Sequence, residues 1–221
     1  MAYVVTDLTL MGSGNACLAC LDEEQLFCVR PLFNPNMYNQ ITWYKQHGIY
    51  QGTRLDLTLL DRPSSNPHSE DSTCTAVNVL EHIDDDAMQE LLESSSYGAI
   101  DEGFGTSPIP GEKYFRHDCE LPVRSIITLK VSSRNITLNQ DSYNDGRMKV
   151  TIIDDYGFTL SWLPVTDLRY INITGDDFYE LKSAAQRADC MYVRLGLTRC
   201  HCPPQTNHNG YWLQVNGLYI Y

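Results

Sequence analysis

The chain has 221 residues, 43% of them apolar, and a formal charge of −12. That is enough for one large all-β domain or two small domains, each with a core. It contains no apolar run of the ~18 residues that a membrane-spanning helix needs. It begins Met-Ala-Tyr-Val-Val-Thr-Asp, without the basic region, apolar stretch and cleavage site of a signal peptide. The expectation is a cytoplasmic protein with no membrane partner, whose 8 cysteines are reduced thiols. The charge is regional. Residues 63–112 hold 11 acidic side chains and no Lys or Arg, whereas 113–221 hold 12 basic and 11 acidic. No arginine-rich run marks a nucleic-acid tail, although a basic patch formed in three dimensions stays open.

In chain order, residues 2–10 read as a strand, and Gly12-Ser-Gly-Asn as a turn. Ala16–Leu21 and Leu26–Arg30 read as a hairpin around Asp22-Glu-Glu-Gln, with Pro31 ending its second strand. Residues 31–53 are expected to be irregular. Leu55–Leu60 and Ala76–Leu80 read as strands separated by a Pro-containing loop. Glu81–Ser94 has helical spacing at Met88, Leu91 and Leu92, with acidic residues at its start. Residues 95–118, rich in Ser, Gly and Pro, make the best linker.

Ser125–Val131, Arg147–Ile153 and Gly157–Leu163 follow as strands, with Asn144-Asp-Gly as a turn signal before the second. Asp176–Asp189 reads as a helix capped by Asp176. The chain closes in a hairpin whose halves, 191–199 and 211–219, alternate apolar and polar residues around a loop rich in Pro, Asn and Gly. Each half of the chain thus runs several strands with one helix. The five-stranded OB barrel accommodates that pattern. The predicted architecture is mainly β with two or so helices, as two OB-like β-barrels packed together. The first barrel would span 1–95 and the second 119–221, with 96–118 as a linker or long loop.

Six short stretches resemble one prokaryotic family, the dual OB-domain proteins. They are Val5-Thr-Asp-Leu-Thr-Leu-Met-Gly with Cys17 to Cys20 following, Cys28-Val-Arg-Pro, Pro67-His-Ser-Glu-Asp, Leu163-Pro-Val-Thr-Asp-Leu-Arg, Val193-Arg-Leu-Gly-Leu-Thr-Arg and Trp212-Leu-Gln-Val-Asn-Gly-Leu-Tyr. They occur in the family's order from residue 5 to the C-terminus. Where the family carries an aromatic after the Glu-Asp pair, this chain has Ser72-Thr73. The resemblance implies a two-barrel fold and binding of nucleic acid or nucleotides, without an established reaction. A place beside bacterial defence or other nucleic-acid-handling systems would be in keeping. Fold alone does not define function.

The candidate ligand-binding residues are Arg30, Arg194 and Arg199, with Tyr192 and Trp212 as stacking partners and His68, Glu70 and Asp71 in the Pro-His-Ser-Glu-Asp loop. A guanidinium suits phosphate and stacks on bases. A barrel face carrying Arg and aromatics holds single strands in OB-folds. The competing reading pairs each arginine with an internal carboxylate such as Asp167, and uses the acidic loop to orient Arg30 or Arg199. His68, Glu70 and Asp71 are also acid–base and metal-ligand types, with Asp61 as a further donor. Cys17-x-x-Cys20 and Cys200-His201-Cys202 suit zinc chemically, but Cys17 and Cys20 would point to opposite faces of a strand. No catalytic residue, metal or cofactor is expected, and Trp43 and Trp162 are expected in the core. Three readings follow: a non-catalytic binding module for a nucleic-acid strand or nucleotide-like ligand, an acidic adaptor for a partner protein, and a metal-dependent hydrolase.

Overall fold

A computed structural model describes all residues except 1, 34–38, 61–64, 143–145 and 205. The predicted Asn144-Asp145 turn and the donor Asp61 lie outside the described residues. The first half builds β1 (Ala2–Leu10), β2 (Ala16–Asp22), β3 (Cys28–Phe33), α1 (Ile41–Gln46), β4 (Thr53–Leu60) and β5 (Asp71–His82). The five strands close into a barrel in the order β1-β2-β3-β5-β4, with β1 paired again to β4 and with β3 and β5 parallel. A one-helix, five-stranded Greek-key barrel is the OB arrangement. Its core gathers Val5, Leu8, Leu18, Val29, Leu55 and Leu57, with Tyr44 of α1 packed against them.

Then come α2 (Asp85–Ser94), β6 (Ser96–Tyr97), α3 (Ile100–Phe104) and β7 (Tyr114–Arg116). Asp84 caps α2 by accepting the Ala87 amide at 2.8 Å, and Asp85 and Asp86 oppose the positive end of the helix dipole. The second half builds β8 (Ile126–Val131), β9 (Ile136–Asp141), β10 (Arg147–Ile153), β11 (Thr159–Pro164), α4 (Gly175–Arg187), β12 (Met191–Leu197) and β13 (Gly210–Ile220).

Its two sheets, β11-β10-β9 and β6-β8-β12-β13-β7, enclose one core. A 3-10 turn at Ser133–Asn135 divides β8 from β9, so together they act as one bent first strand pairing with both β10 and β12. A parallel bridge from Val165 to Val215 links the end of β11 to β13. The second half thus repeats the strand order of the first as an incompletely closed barrel.

The two barrels meet along β1 and β13, where the Tyr219 hydroxyl donates to the Thr6 carbonyl at 2.6 Å, and Arg194 of β12 reaches Asp7 beside them. Every residue from Tyr3 to Thr9 and from Met191 to Leu197 is buried, so both faces of both strands are covered. A third apolar cluster fills part of the junction: Val4 and Leu21 of the first barrel, Met88, Leu91 and Leu92 of α2, and Tyr192 and Tyr219 of the second barrel.

Several local expectations are corrected. Residues 96–118 carry β6, α3 and β7, and place Ile100, Phe104 and Phe115 in the second core. Apolar residues hidden among Gly, Ser and Pro account for this. Pro31 does not end β3, because its missing amide is tolerated there and the strand runs on to Phe33 beside β5. The 31–53 stretch contains α1, the helix that lies between barrel strands, whereas Glu81 and His82 still belong to β5. Helix α4 begins after Thr174, and Asp176 lies in its first turn rather than at its cap.

A candidate binding cleft between the barrels

The parallel pairing of β3 and β5 sets Arg30 directly opposite Asp71. Arg30 donates from Nε to Asp71 Oδ1 at 2.6 Å, and its Nη2 lies 2.9 Å from His68 Nδ1. Arg199, just beyond β12, donates from Nη2 to Asp71 Oδ2 at 2.6 Å. One carboxylate therefore joins guanidiniums from both halves of the chain. Burial opposes ionisation of Asp71, but Arg30 and Arg199 outweigh it and hold its carboxyl below the usual range.

His68 goes the other way. Burial, then the charges of Arg30 and Arg199, lower its pKa to about 4. The ring is thus neutral near pH 7. Its Nδ1 faces a guanidinium donor and must accept, so the proton sits on Nε2. That nitrogen is buried and has no hydrogen-bond partner among the described residues.

Glu70 uses both oxygens on the second half. Oε1 accepts from the Ser125 amide at 2.5 Å and the Ile126 amide at 2.9 Å, and Oε2 accepts from the Ser125 hydroxyl at 2.9 Å. It staples the Pro67–Asp71 loop to the start of β8.

Arg194 is 1% exposed. It donates twice to Asp7 Oδ2, at 3.0 and 2.9 Å, to Thr128 Oγ1 at 2.8 Å and to Cys28 Sγ at 3.2 Å. Tyr192, on the same strand face, packs against α2 and bonds Glu93 through its hydroxyl. The Arg–Tyr face of β12 is therefore barrel–barrel interface rather than an open stacking platform. Trp212 is half-buried, with its indole stacked on Tyr114 at 4.6 Å and 23° and its N–H donated to the His201 carbonyl at 3.3 Å. Trp162, expected in the core, is 48% exposed.

Arg30, His68, Asp71 and Arg199 thus form one network. Glu70 and Arg194 tie the barrels beside it, and Tyr192 and Trp212 stand apart. Each of the three arginines has an internal carboxylate, but none uses Asp167, which pairs with Arg169 at 2.6 Å.

A cavity of about 350 Å³ opens between the barrels, lined by Asp7, Arg30, Thr198, Arg199, Gln214 and Asn216 among others. Arg199 stands at it with its side chain 58% exposed. Sequence reasoning missed Asp7, Gln214 and Asn216. A lone Asp inside Val-Val-Thr-Asp-Leu-Thr-Leu was the available signal for Asp7, since an acidic residue in a doubly buried strand needs a buried counter-charge.

Among the described residues, no three His, Cys, Asp or Glu side chains are grouped to hold a metal ion. Cys20 is buried and Cys17 half-buried, while Cys200 and Cys202 are exposed. Asp71 and Glu70 are committed to arginines and backbone amides.

No protein-family model matches the chain, and no curated protein does. A solved structure of a murine DNA-binding protein bound to double-stranded DNA aligns with 100% of this chain and 95% of that one, at 11% identity and a TM-score of 0.36. That likeness is too distant to bear on fold or function. What the molecule's own sheets define is a mainly β protein with two barrel-like units.

Proposed function

We propose that this protein is a non-catalytic module that binds a phosphate-bearing, nucleotide-like ligand between its two barrels. In this reading residues 1–95 form the first unit and the remainder the second. The observation that carries it is the pair Arg30 and Arg199 at the inter-barrel cavity, held by one shared carboxylate and a neutral histidine. Two guanidiniums, one Asp71 carboxylate and an uncharged His68 leave the network one positive charge in excess. Arg199 uses one guanidinium hydrogen on Asp71, and its exposed side chain has donors to offer an anion.

A single anionic group suits this arrangement better than a long strand. A polyanion needs many cationic contacts, the chain carries −12 overall, and Arg194 is sealed in the interface. Trp212 already spends one face on Tyr114. A role in bacterial defence stays an extension of this reading. Calorimetric titration with nucleoside monophosphates tests the proposal. Binding by the native protein that is lost in Arg199→Ala, with unfolding unchanged, is expected; equal binding by both overturns it. Binding confined to oligonucleotides would transfer the site to a strand.

A second reading has its own observation. Glu81, Asp84, Asp85, Asp86 and Glu90 are all exposed on and just before α2, an acidic face suited to a basic partner protein. Charge reversal there that leaves co-purification of a basic partner unchanged would remove that reading.

A further inference from the structure

We infer that the inter-barrel cavity also reads the far end of its ligand, and that it selects an edge rich in N–H donors, as guanine has, over one that lacks them. The inference rests on the anion reading above, and it concerns Asp7 and its neighbours rather than the arginines. Asp7 is 1% exposed and lines the cavity. Its Oδ2 accepts from Thr6 Oγ1 at 2.8 Å and twice from Arg194. Its Oδ1 has no hydrogen-bond partner among the described residues. A buried carboxylate oxygen without a donor is costly, and Oδ1, which has almost no accessible surface of its own, meets one where a ligand displaces the cavity wall at Asp7.

Arg194 does not supply that donor: four of its five N–H groups go to Oδ2, Thr128 and Cys28, and none reaches Oδ1. A lone water is a small occupant, since about 30 Å³ of liquid volume per water fills under a tenth of the cavity. The same wall carries Gln214, whose amide nitrogen is donated to Asn216 Oδ1 at 2.9 Å. That bond turns the amide so that its own oxygen remains as an acceptor. Asn216 is fixed in turn against Gly196, where a Cβ would lie 2.1 Å from its Nδ2. The lining therefore carries acceptors at Asp7 and Gln214 as well as the donors of Arg30 and Arg199.

A ligand matching both presents an anionic group to the arginines and adjacent N–H groups to Asp7 and Gln214. Among nucleotides, guanine offers N1–H beside its 2-amino group, whereas adenine presents a bare acceptor at N1. Carboxylate and amide acceptors meeting base donors discriminate by about ten- to a hundredfold.

Competitive titration of the native protein with GMP, IMP, AMP and inorganic phosphate decides the matter. The expected order is GMP tightest, IMP weaker by the loss of the 2-amino group, and AMP at least about tenfold weaker than GMP. AMP binding as well as GMP, with phosphate competing against both, overturns this inference and leaves the anion site standing. Failure of all four overturns the anion site as well. Asp7→Asn risks unfolding by stranding Arg194. Gln214→Leu, which removes an acceptor and touches no ion pair, is the usable variant, and it should narrow the GMP-to-AMP ratio. An unchanged ratio in a folded Gln214→Leu protein counts against the inference.

Discussion

Replacing Arg194 with Met probes how the barrels are joined. The guanidinium is 1% exposed and holds Asp7 of β1, Thr128 of β8 and Cys28 of β3 through bonds of 2.8–3.2 Å. Met fills most of the same volume, so the cavity contribution is small. What remains is a buried Asp7 carboxylate without its counter-charge, and breaking such a pair costs about 3–5 kcal/mol. For a chain of this size that lowers Tm by about 6–20 °C. Removing both charges, as Asp7→Leu with Arg194→Met, restores most of the loss, because a buried ion pair replaced by apolar residues is about neutral. Urea unfolding of the native protein, both single variants and the double variant gives the coupling directly. A single-variant loss under about 1 kcal/mol, or a double variant no better than the sum of the singles, would refute the account of the interface.

Other outcomes follow from the same structure. His68 titrates near 6.5 when unfolded and near 4 when folded, so the unfolded chain binds more protons between those values. Stability should therefore be full above about pH 6.5 and fall through pH 4, by about 3 kcal/mol; His68→Gln should flatten that part of the profile, and parallel curves would sink the assignment. Gly196→Ala places a Cβ 2.1 Å from Asn216 Nδ2 and should cost about 1–3 kcal/mol, read as a shift in the urea midpoint; an unchanged midpoint contradicts the packing. Burial pushes the Cys28 thiol up to about 12, whereas Cys119, Cys200 and Cys202 are exposed. Brief alkylation of native protein near pH 8 should label these three and spare Cys17, Cys20, Cys28 and Cys74; mass spectrometry showing early Cys28 labelling would argue against the closed interface.

The strands were legible because their alternation is local. The terminal hairpin of β12 and β13 is where the sequence placed it, and Arg194 does share a face with Tyr192. What alternation cannot tell is what covers the second face. Polar and aromatic residues opposite a core face read equally as a ligand platform or as a barrel–barrel interface. Here Tyr192 and Arg194 are buried against α2 and β1. The shared-carboxylate network was half legible: the Pro-His-Ser-Glu-Asp loop and the arginines stood out as residue types. That Asp71 would join Arg30 to Arg199 depends on parallel pairing of β3 with β5, a contact across 41 residues. The cavity wall was not legible, because Asp7, Gln214 and Asn216 come from strands more than 200 residues apart in sequence. Only packing of the two barrels brings them together.

The position a nucleotide takes on the protein is decisive. A crystal structure of the protein grown with GMP measures this most directly. The prediction is phosphate oxygens within hydrogen-bond distance of Arg199 and the base edge at Asp7 Oδ1, inside the inter-barrel cavity. A nucleotide lying on the outer face of β9, β10 and β11, with the cavity filled by water alone, would contradict it.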